Sequence, residues 1–360
     1  MAEATGKRKA DHIRICIEQK AQAKKATPGF EDIKLVHRAL PEVDRQKINL
    51  SSSFLDKNFS APLLIGAMTG GTEEATKINA SIAEAVEKLG LGMGVGSQRA
   101  AIEDAKLEKT YKIARKKAPT AFLIANIGGV QLVNGYSLKE IKKAVEMIDA
   151  DAVAIHLNAL QEVVQPEGQT NFKGVLAKIS EIAGDLDKPV IVKETGCGIS
   201  AEDAKELEAA GVKAIDIGGL GGTSFAAVEC YRSPNNIGEV FWDWGIPTVI
   251  SLIETAQTVK VPIIASGGVR SGLDIVKSLA LNASLASVCQ PVLEAAVKGA
   301  KETYELLSCL IEQLRDVLFL VGAKNLAALP KLPLVIDGKT AEWLNIRGFN
   351  TTKYAKRGAS

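Results

Sequence analysis

Ala121-Phe122-Leu123-Ile124-Ala125-Asn126 is five apolar residues in a row, with no alternation, closed by an amide. A strand with one wet face alternates apolar and polar residues. A continuous run of strand length is what a parallel strand covered on both faces requires. The pattern recurs in both directions along the chain. Similar runs stand at 63–67, 91–95, 152–155, 190–193, 214–217, 263–265 and 285–288, which makes eight in all. Period-3.6 patterning between them predicts helices over 73–89, 105–117, 138–148, 201–210 and 273–281. Eight βα units in about 250 residues predict an α/β fold of the closed (β/α)8 or TIM-barrel kind. An open doubly wound sheet is the competitor, and it would carry a G-x-G-x-x-G turn after its first strand. The turn here reads Gly66-Ala67-Met68-Thr69-Gly70-Gly71.

Outside the repeating part, residues 1–60 form a polar N-terminal extension expected to pack on the barrel and reach its active site. A helical stretch over 9–24 leads through Pro28-Gly29 to a segment, 33–40, that is expected to pair with the body. The barrel is assigned to 61–345, and 346–360 is a C-terminal tail. Residues 218–261 form a long insertion after the sixth strand with no evident strand of its own. It contains Tyr231, Trp242, Trp244 and a Gly/Pro/Asn cluster. Connections of that length cap a fold or act as lids.

Composition narrows the partners. The chain has 360 residues, 46% of them apolar and 24% charged, with a net charge of +2, which does not suit a nucleic-acid binder. Five scattered cysteines without C-x-x-C spacing fit neither a disulfide framework nor a zinc site. No apolar run approaches the roughly 18 residues of a membrane span, and no apolar leader is evident, so a cytoplasmic location is expected.

Polar residues at the C-terminal ends of barrel strands usually belong to the site. Here those ends carry Ala67-Met68-Thr69, Ser97-Gln98-Arg99, Asn126, His156-Leu157-Asn158, Lys193-Glu194-Thr195 and Thr223. After the seventh strand, Ser266-Gly267-Gly268-Val269-Arg270-Ser271-Gly272 lets backbone N–H groups approach a phosphate, with the helix that opens near Gly272 presenting its positive end. Lys193 closes an apolar strand. It suits a Schiff base, a contact to an electron-rich cofactor ring, or an ion pair with Asp216 or Glu194. Glu162, a single carboxylate near His156, Asn158 and Gln161, suits Mg2+ held largely by water and substrate phosphates. Arg8, Lys9 and His12, together with Arg99, could clamp a diphosphate.

Taken in order, Arg8-Lys9-Ala10-Asp11-His12, Met68 to Gly71, Met93-Gly94-Val95-Gly96-Ser97-Gln98-Arg99, His156-Leu157-Asn158 with Gln161-Glu162, Val192-Lys193-Glu194, Gly221-Gly222-Thr223 and 266–272 resemble FMN-dependent, type 2 isopentenyl-diphosphate isomerases. The likeness is to the archaeal members. It implies interconversion of isopentenyl and dimethylallyl diphosphates with reduced FMN, Mg2+ on the diphosphate, and NADPH as the reductant. It also implies a homotetramer or homo-octamer. By resemblance, Ala67, Met68, Thr69, Ser97, Asn126, Lys193 and Thr223 match FMN-binding positions, and Gly268, Val269, Arg270, Cys289 and Gln290 match the FMN phosphate site. Arg8, Lys9, His12, Arg99, His156, Asn158 and Gln161 match substrate positions, and Glu162 matches the metal ligand. Gln161 and Glu229 match residues beside the reacting carbons, where FMN itself is the expected acid/base. Cys289-Gln290, Thr195, Cys197 and Ile127-Gly128-Gly129-Val130 depart from the usual pattern. The rival readings are a hydroxy-acid oxidase, an IMP-dehydrogenase-like enzyme, and a barrel that only binds a phosphate ligand.

Overall fold

In a computed structural model, which describes residues 2–233 and 237–358, the eight apolar runs are eight parallel strands of one closed barrel. They are β1 (Leu63–Ile65), β2 (Gly92–Gly94), β3 (Phe122–Gly128), β4 (Ala152–Leu157), β5 (Val190–Glu194), β6 (Ala214–Asp216), β7 (Ile263–Ala265) and β8 (Leu285–Val288). Each pairs with the next, and β8 closes on β1 through Ala286↔Leu63 to Val288↔Ile65. All seven residues of β3 are buried, as the run at 121–125 demands. The strand continues to Gly128, and β4 to Leu157, so His156 sits inside its strand rather than after it.

A hairpin, Ser52–Phe54 with Lys57–Phe59, closes the N-terminal end of the barrel. Its two-residue turn puts Leu55 and Asp56 at φ 46 and 63, the geometry that matches the twist of the flanking strands. Phe54 and Phe59 then pack on the inward-facing residues Leu64, Phe122, Ile124, Ile191, Ile264 and Leu285. The barrel is therefore plugged at one end and open only where its strands finish.

The helix Glu73–Leu89 has the predicted bounds: the Thr72 side chain accepts the Ala75 N–H, and Gly90 ends it at φ 62. The helix expected over 105–117 is instead a 3-10 turn, Ala105–Leu107, followed by a helix at Lys109–Lys117. Asp104 caps the turn by accepting the Lys106 N–H. The connection 218–261 is mostly helical, with Phe225–Arg232, Ile237–Val240 and Thr248–Thr258. Pro234-Asn235-Asn236 of its Gly/Pro/Asn cluster lies outside the described residues.

The N-terminal helix, Ala2–Glu18, begins and ends earlier than expected. Ile15 packs against Ala227, Val228 and Trp242 of the connection. The Trp242 indole N–H donates to the Gln22 carbonyl at 2.8 Å, and Asp243 Oδ1 accepts the Lys24 N–H at 2.7 Å. Ile33–Leu35 pairs antiparallel with Leu334–Ile336, which joins the two ends of the chain. The extension thus crosses the open end of the barrel.

Candidate active site

One cavity opens at the C-terminal ends of the strands. Every residue that the resemblance matches to a cofactor, substrate or metal position lines it, and Glu229 does not. Of the strand-end residues, Gln98 turns into the core, where its amide donates to the Ala144 carbonyl at 2.8 Å. Its walls divide into a side built by β7 and β8 and a side built by β2 to β4 with the N-terminal helix.

On the first side, Gly267 and Gly268 take φ 105 and 71, and a Cβ on Gly268 would lie 2.7 Å from the Gly221 carbonyl oxygen. Only glycine fits this turn without strain. Among the described residues, the N–H groups of Gly268, Val269, Cys289 and Gln290 donate to no protein acceptor. They are a set of orphan donors facing one space. The helix Gly272–Ala280 does not add to them, which corrects the expectation from 266–272. Ser271 and Asp274 form a capping box there, Asp274 also accepts the Arg270 N–H, and the Gly272 N–H donates to Gln313 Oε1 at 2.8 Å. That helix end is filled by the chain's own side chains. The helix Gln290–Lys298, with Cys289 making no side-chain cap, takes its place.

Lys193 Nζ donates to the Glu194 carbonyl at 2.7 Å, and no carboxylate lies within 4.0 Å of it among the described residues. The ion pair with Asp216 or Glu194 is not formed. Glu194 Oε2 instead accepts the N–H groups of Thr195 and Gly196, each at 2.6 Å, and of Cys197. Burial pushes the Glu194 pKa up to about 7. The Asp216 carboxylate accepts the Ser266 hydroxyl, and burial raises its pKa as well.

Across the mouth, Lys9 Nζ donates to the Ser97 carbonyl at 2.7 Å and to the Tyr111 hydroxyl at 2.6 Å. Burial, then Arg8 and Arg99 against a partial offset from Glu103, lowers the Lys9 pKa to about 7. Arg99 pairs with Glu103 at 2.8 Å and Arg8 with Glu167 at 3.6 Å. His156 Nδ1 meets Asn126 Oδ1 at 2.8 Å, and burial, then Lys193 and Lys9, lowers the imidazole pKa to about 3.

Glu162 is 7% exposed. Its Oε1 accepts Asn158 Nδ2 at 2.9 Å, and its Oε2 accepts Gln165 Nε2 at 2.8 Å and the Gln169 N–H at 2.7 Å. Asn158 Nδ2 also donates to Gln161 Oε1 at 3.1 Å. With their amide nitrogens turned to these acceptors, Asn158 Oδ1 and Gln165 Oε1 are buried acceptors with no donor. Two orphan amide oxygens beside a buried carboxylate are the donor set a hard divalent cation takes.

Glu229 is elsewhere. At 1% exposure, its carboxylate accepts from Arg232 Nε at 2.6 Å and lies 2.8 Å from His12 Nε2. Burial opposes ionisation, but His12 and Arg232 outweigh it and hold the pKa below the usual carboxylate range. Glu229 does not itself line the cavity: His12, to which it is joined, does. Arg232 continues to Glu167 at 2.7 Å, so the network returns to Arg8.

A family model of FMN-dependent dehydrogenases matches residues 2–128 and 129–334. Isopentenyl-diphosphate delta-isomerase from Methanosarcina barkeri is 49% identical, covering 100% of this chain and 100% of that one. The chain belongs to the isopentenyl-diphosphate delta-isomerase family. The Methanothermobacter thermautotrophicus and Archaeoglobus fulgidus isomerases are 50% and 48% identical over 97% and 96% of this chain and 99% and 100% of their own. Solved structures share the fold at lower identity. A lactate oxidase of Pediococcus acidilactici superposes with a TM-score of 0.64 at 18% identity, over 94% of this chain and 93% of that one. A mandelate oxidase gives 0.63 at 18%, over 92% and 98%. The FMN-family barrel is thus shared with oxidases, and the isomerase relationship rests on sequence identity along the whole chain.

Sequence reading missed Gln165, Tyr111, Arg232 and Glu167. Gln165 lies three residues beyond Glu162 near one helix face, a spacing that could have nominated it. Tyr111 and Arg232 sit on helices outside the strand-end pattern and carried no local signal.

Proposed function

We propose that the chain interconverts isopentenyl and dimethylallyl diphosphates using reduced FMN and Mg2+, as a step of isoprenoid biosynthesis. The observation that carries this reading is one cavity with two separate anion-binding poles. Orphan N–H groups and Arg270 form one pole, and Lys9, Arg8 and Arg99 form the other.

The residues fit both non-protein groups. Gly268, Val269, Cys289 and Gln290 would hold the FMN phosphate through backbone N–H groups, which need no side chain of a particular kind. This explains how Cys289-Gln290 can replace the usual pair. Ala67, Met68, Thr69, Ser97, Asn126, Thr223 and Lys193 would surround the ring. Glu162, with Asn158 Oδ1 and Gln165 Oε1 free to accept, would hold Mg2+ directly or through its waters. Reduced FMN, when bound, supplies proton-donating and proton-accepting centres next to carbons that are not acidic.

The chain's own residues bind, orient and shield. Lys9, Arg8 and Arg99 take the diphosphate, and His156 and Asn158 bound it on the β4 side. Gln161 accepts from Asn158 through Oε1, which turns its N–H donors toward the cavity. Glu229 acts one step back, holding His12 and thereby the N-terminal helix over the mouth. Closing that helix excludes water and confines the cationic transition state to a dry pocket. NADPH is the proposed reductant, reaching the same open mouth. The exposed Tyr231, Ile237, Val240 and Trp244 are the surface we assign to assembly into a tetramer or octamer.

The test is conversion of isopentenyl diphosphate by the purified protein with FMN, Mg2+ and NADPH, against a control without the reductant. Turnover that requires reduction supports the reading. Bound flavin without turnover overturns the substrate assignment and returns hydroxy acids to consideration.

A further inference from the structure

We propose that Tyr111, which does not itself line the cavity, is a positioning residue: its hydroxyl receives the Lys9 ammonium and so latches the N-terminal helix across the barrel mouth.

The hydrogen bonds leave little choice of direction. The Tyr111 hydroxyl lies 2.6 Å from the Ser97 carbonyl oxygen, which can only accept, so the phenol proton goes there. Its lone pairs are then left for Lys9 Nζ at 2.6 Å, and the Ser97 carbonyl accepts from Lys9 as well, at 2.7 Å. An ammonium has three donors, so two are spent on the latch and one remains for an incoming anion. The phenol is itself immobile. Tyr111 is 0% exposed, and its ring lies against Gly70, where a Cβ would approach Cε1 to 2.0 Å. That contact requires glycine in the Met68-Thr69-Gly70-Gly71 turn. It also fixes the post on which the helix docks.

Lys9 makes no salt bridge among the described residues. It faces Arg8 on its own helix, Arg99 and Glu103 on the helix after β2, and His156 on β4. Two neutral oxygens are therefore what keep this ammonium buried at the mouth. Burial keeps the phenol neutral throughout the working range by raising its pKa. An incoming phosphate supplies the negative charge the site lacks, so the latch holds Lys9 where the third N–H can meet it. The part concerning substrate rests on the function proposed above, whereas the latch does not.

The experiment uses Tyr111→Phe in the full chain, which keeps the ring on Gly70 and removes only the hydroxyl. Trypsin cutting after Arg14, followed by mass spectrometry without any ligand, is expected to quicken several-fold. KM for isopentenyl diphosphate is expected to rise on the order of tenfold, with kcat changed by about twofold or less. With one acceptor gone, the neutral amine gains, so the basic limb of kcat/KM moves to lower pH. Introduced into Lys9→Met, the same substitution is expected to add almost nothing to KM. Should Tyr111→Phe not fold, Lys9→Met alone must quicken the cut after Arg14. Wild-type rates of cutting, or KM effects that add in the double variant, overturn the proposal. If the wild-type protein turns over no prenyl diphosphate, the function fails while the cutting rates still decide the latch.

Discussion

Asn126 Oδ1 lies 2.8 Å from His156 Nδ1, while the other end of the same amide donates to the Val95 carbonyl at 3.1 Å. Because the amide's donor is committed to a carbonyl, its oxygen must accept, and Nδ1 of His156 must carry the proton. Nε2 is left as a bare lone pair, a poor partner for a phosphate oxygen until it is protonated.

Diphosphate binding should therefore bring a proton with it. At pH 6, calorimetry of inorganic pyrophosphate binding in buffers of different ionisation enthalpy is expected to show proton uptake, and His156→Gln should remove it. Histidine 15N spectra provide a direct check, since the chain has only three histidines. Linkage gives a second sign. Between the folded pKa of about 3 and the unfolded value of about 6.5, the unfolded chain binds the extra proton. Stability contributed by His156 should fall as pH drops through that window, and His156→Gln should flatten this part of the curve.

The two orphan amide oxygens bear on metal affinity. Gln165→Leu removes one of them and frees Glu162 Oε2 from one donor. Mn2+ affinity in the presence of pyrophosphate, read by electron paramagnetic resonance, is expected to weaken about 10- to 100-fold. Wild-type affinity would mean that Glu162 holds the ion without this support.

Two neighbouring substitutions separate the flavin phosphate turn from the helix beside it. Gly268→Ala forces a Cβ to within 2.7 Å of Gly221 O at φ 71, so FMN affinity measured by absorbance is expected to fall at least about tenfold, with a loss of more than about 1 kcal/mol of stability. Ser271→Ala removes the cap of Gly272–Ala280 and should cost about 1 kcal/mol while leaving FMN affinity unchanged. Weakened FMN binding in Ser271→Ala would restore that helix end to the phosphate site.

Glu229→Gln distinguishes positioning from proton transfer. A group that moves a proton in the reaction contributes about 10²- to 10⁴-fold to kcat. A carboxylate that only holds His12 and Arg232 should show its loss mainly as a raised KM, with kcat down by less than about tenfold. The variant is also expected to lose about 3 kcal/mol of stability, since a buried pair is broken.

Much of this site was legible before any coordinates. Most polar residues at strand ends, from Thr69 to Gln290 but not Gln98, face one cavity because parallel strands all finish on the same side. That Glu229 meets the cavity only through His12 was not legible, because the sequence cannot say which way a helical carboxylate turns. The Gly272 helix end was misread because Ser271 and Asp274, spaced for a capping box, were overlooked in favour of the glycines.

By itself the sequence determined the eight-stranded barrel, the order of its strands and the ring of polar residues at its mouth. Those signals are local: burial on both faces writes a continuous apolar run, and a strand end writes the polar residue after it. Only the tertiary structure decided which groups spend their hydrogen bonds on each other. Lys9 finds Tyr111 across 102 positions of sequence and His12 finds Glu229 across 217. Such pairings depend on where the closed barrel brings two distant segments, and no periodicity in either segment encodes the other.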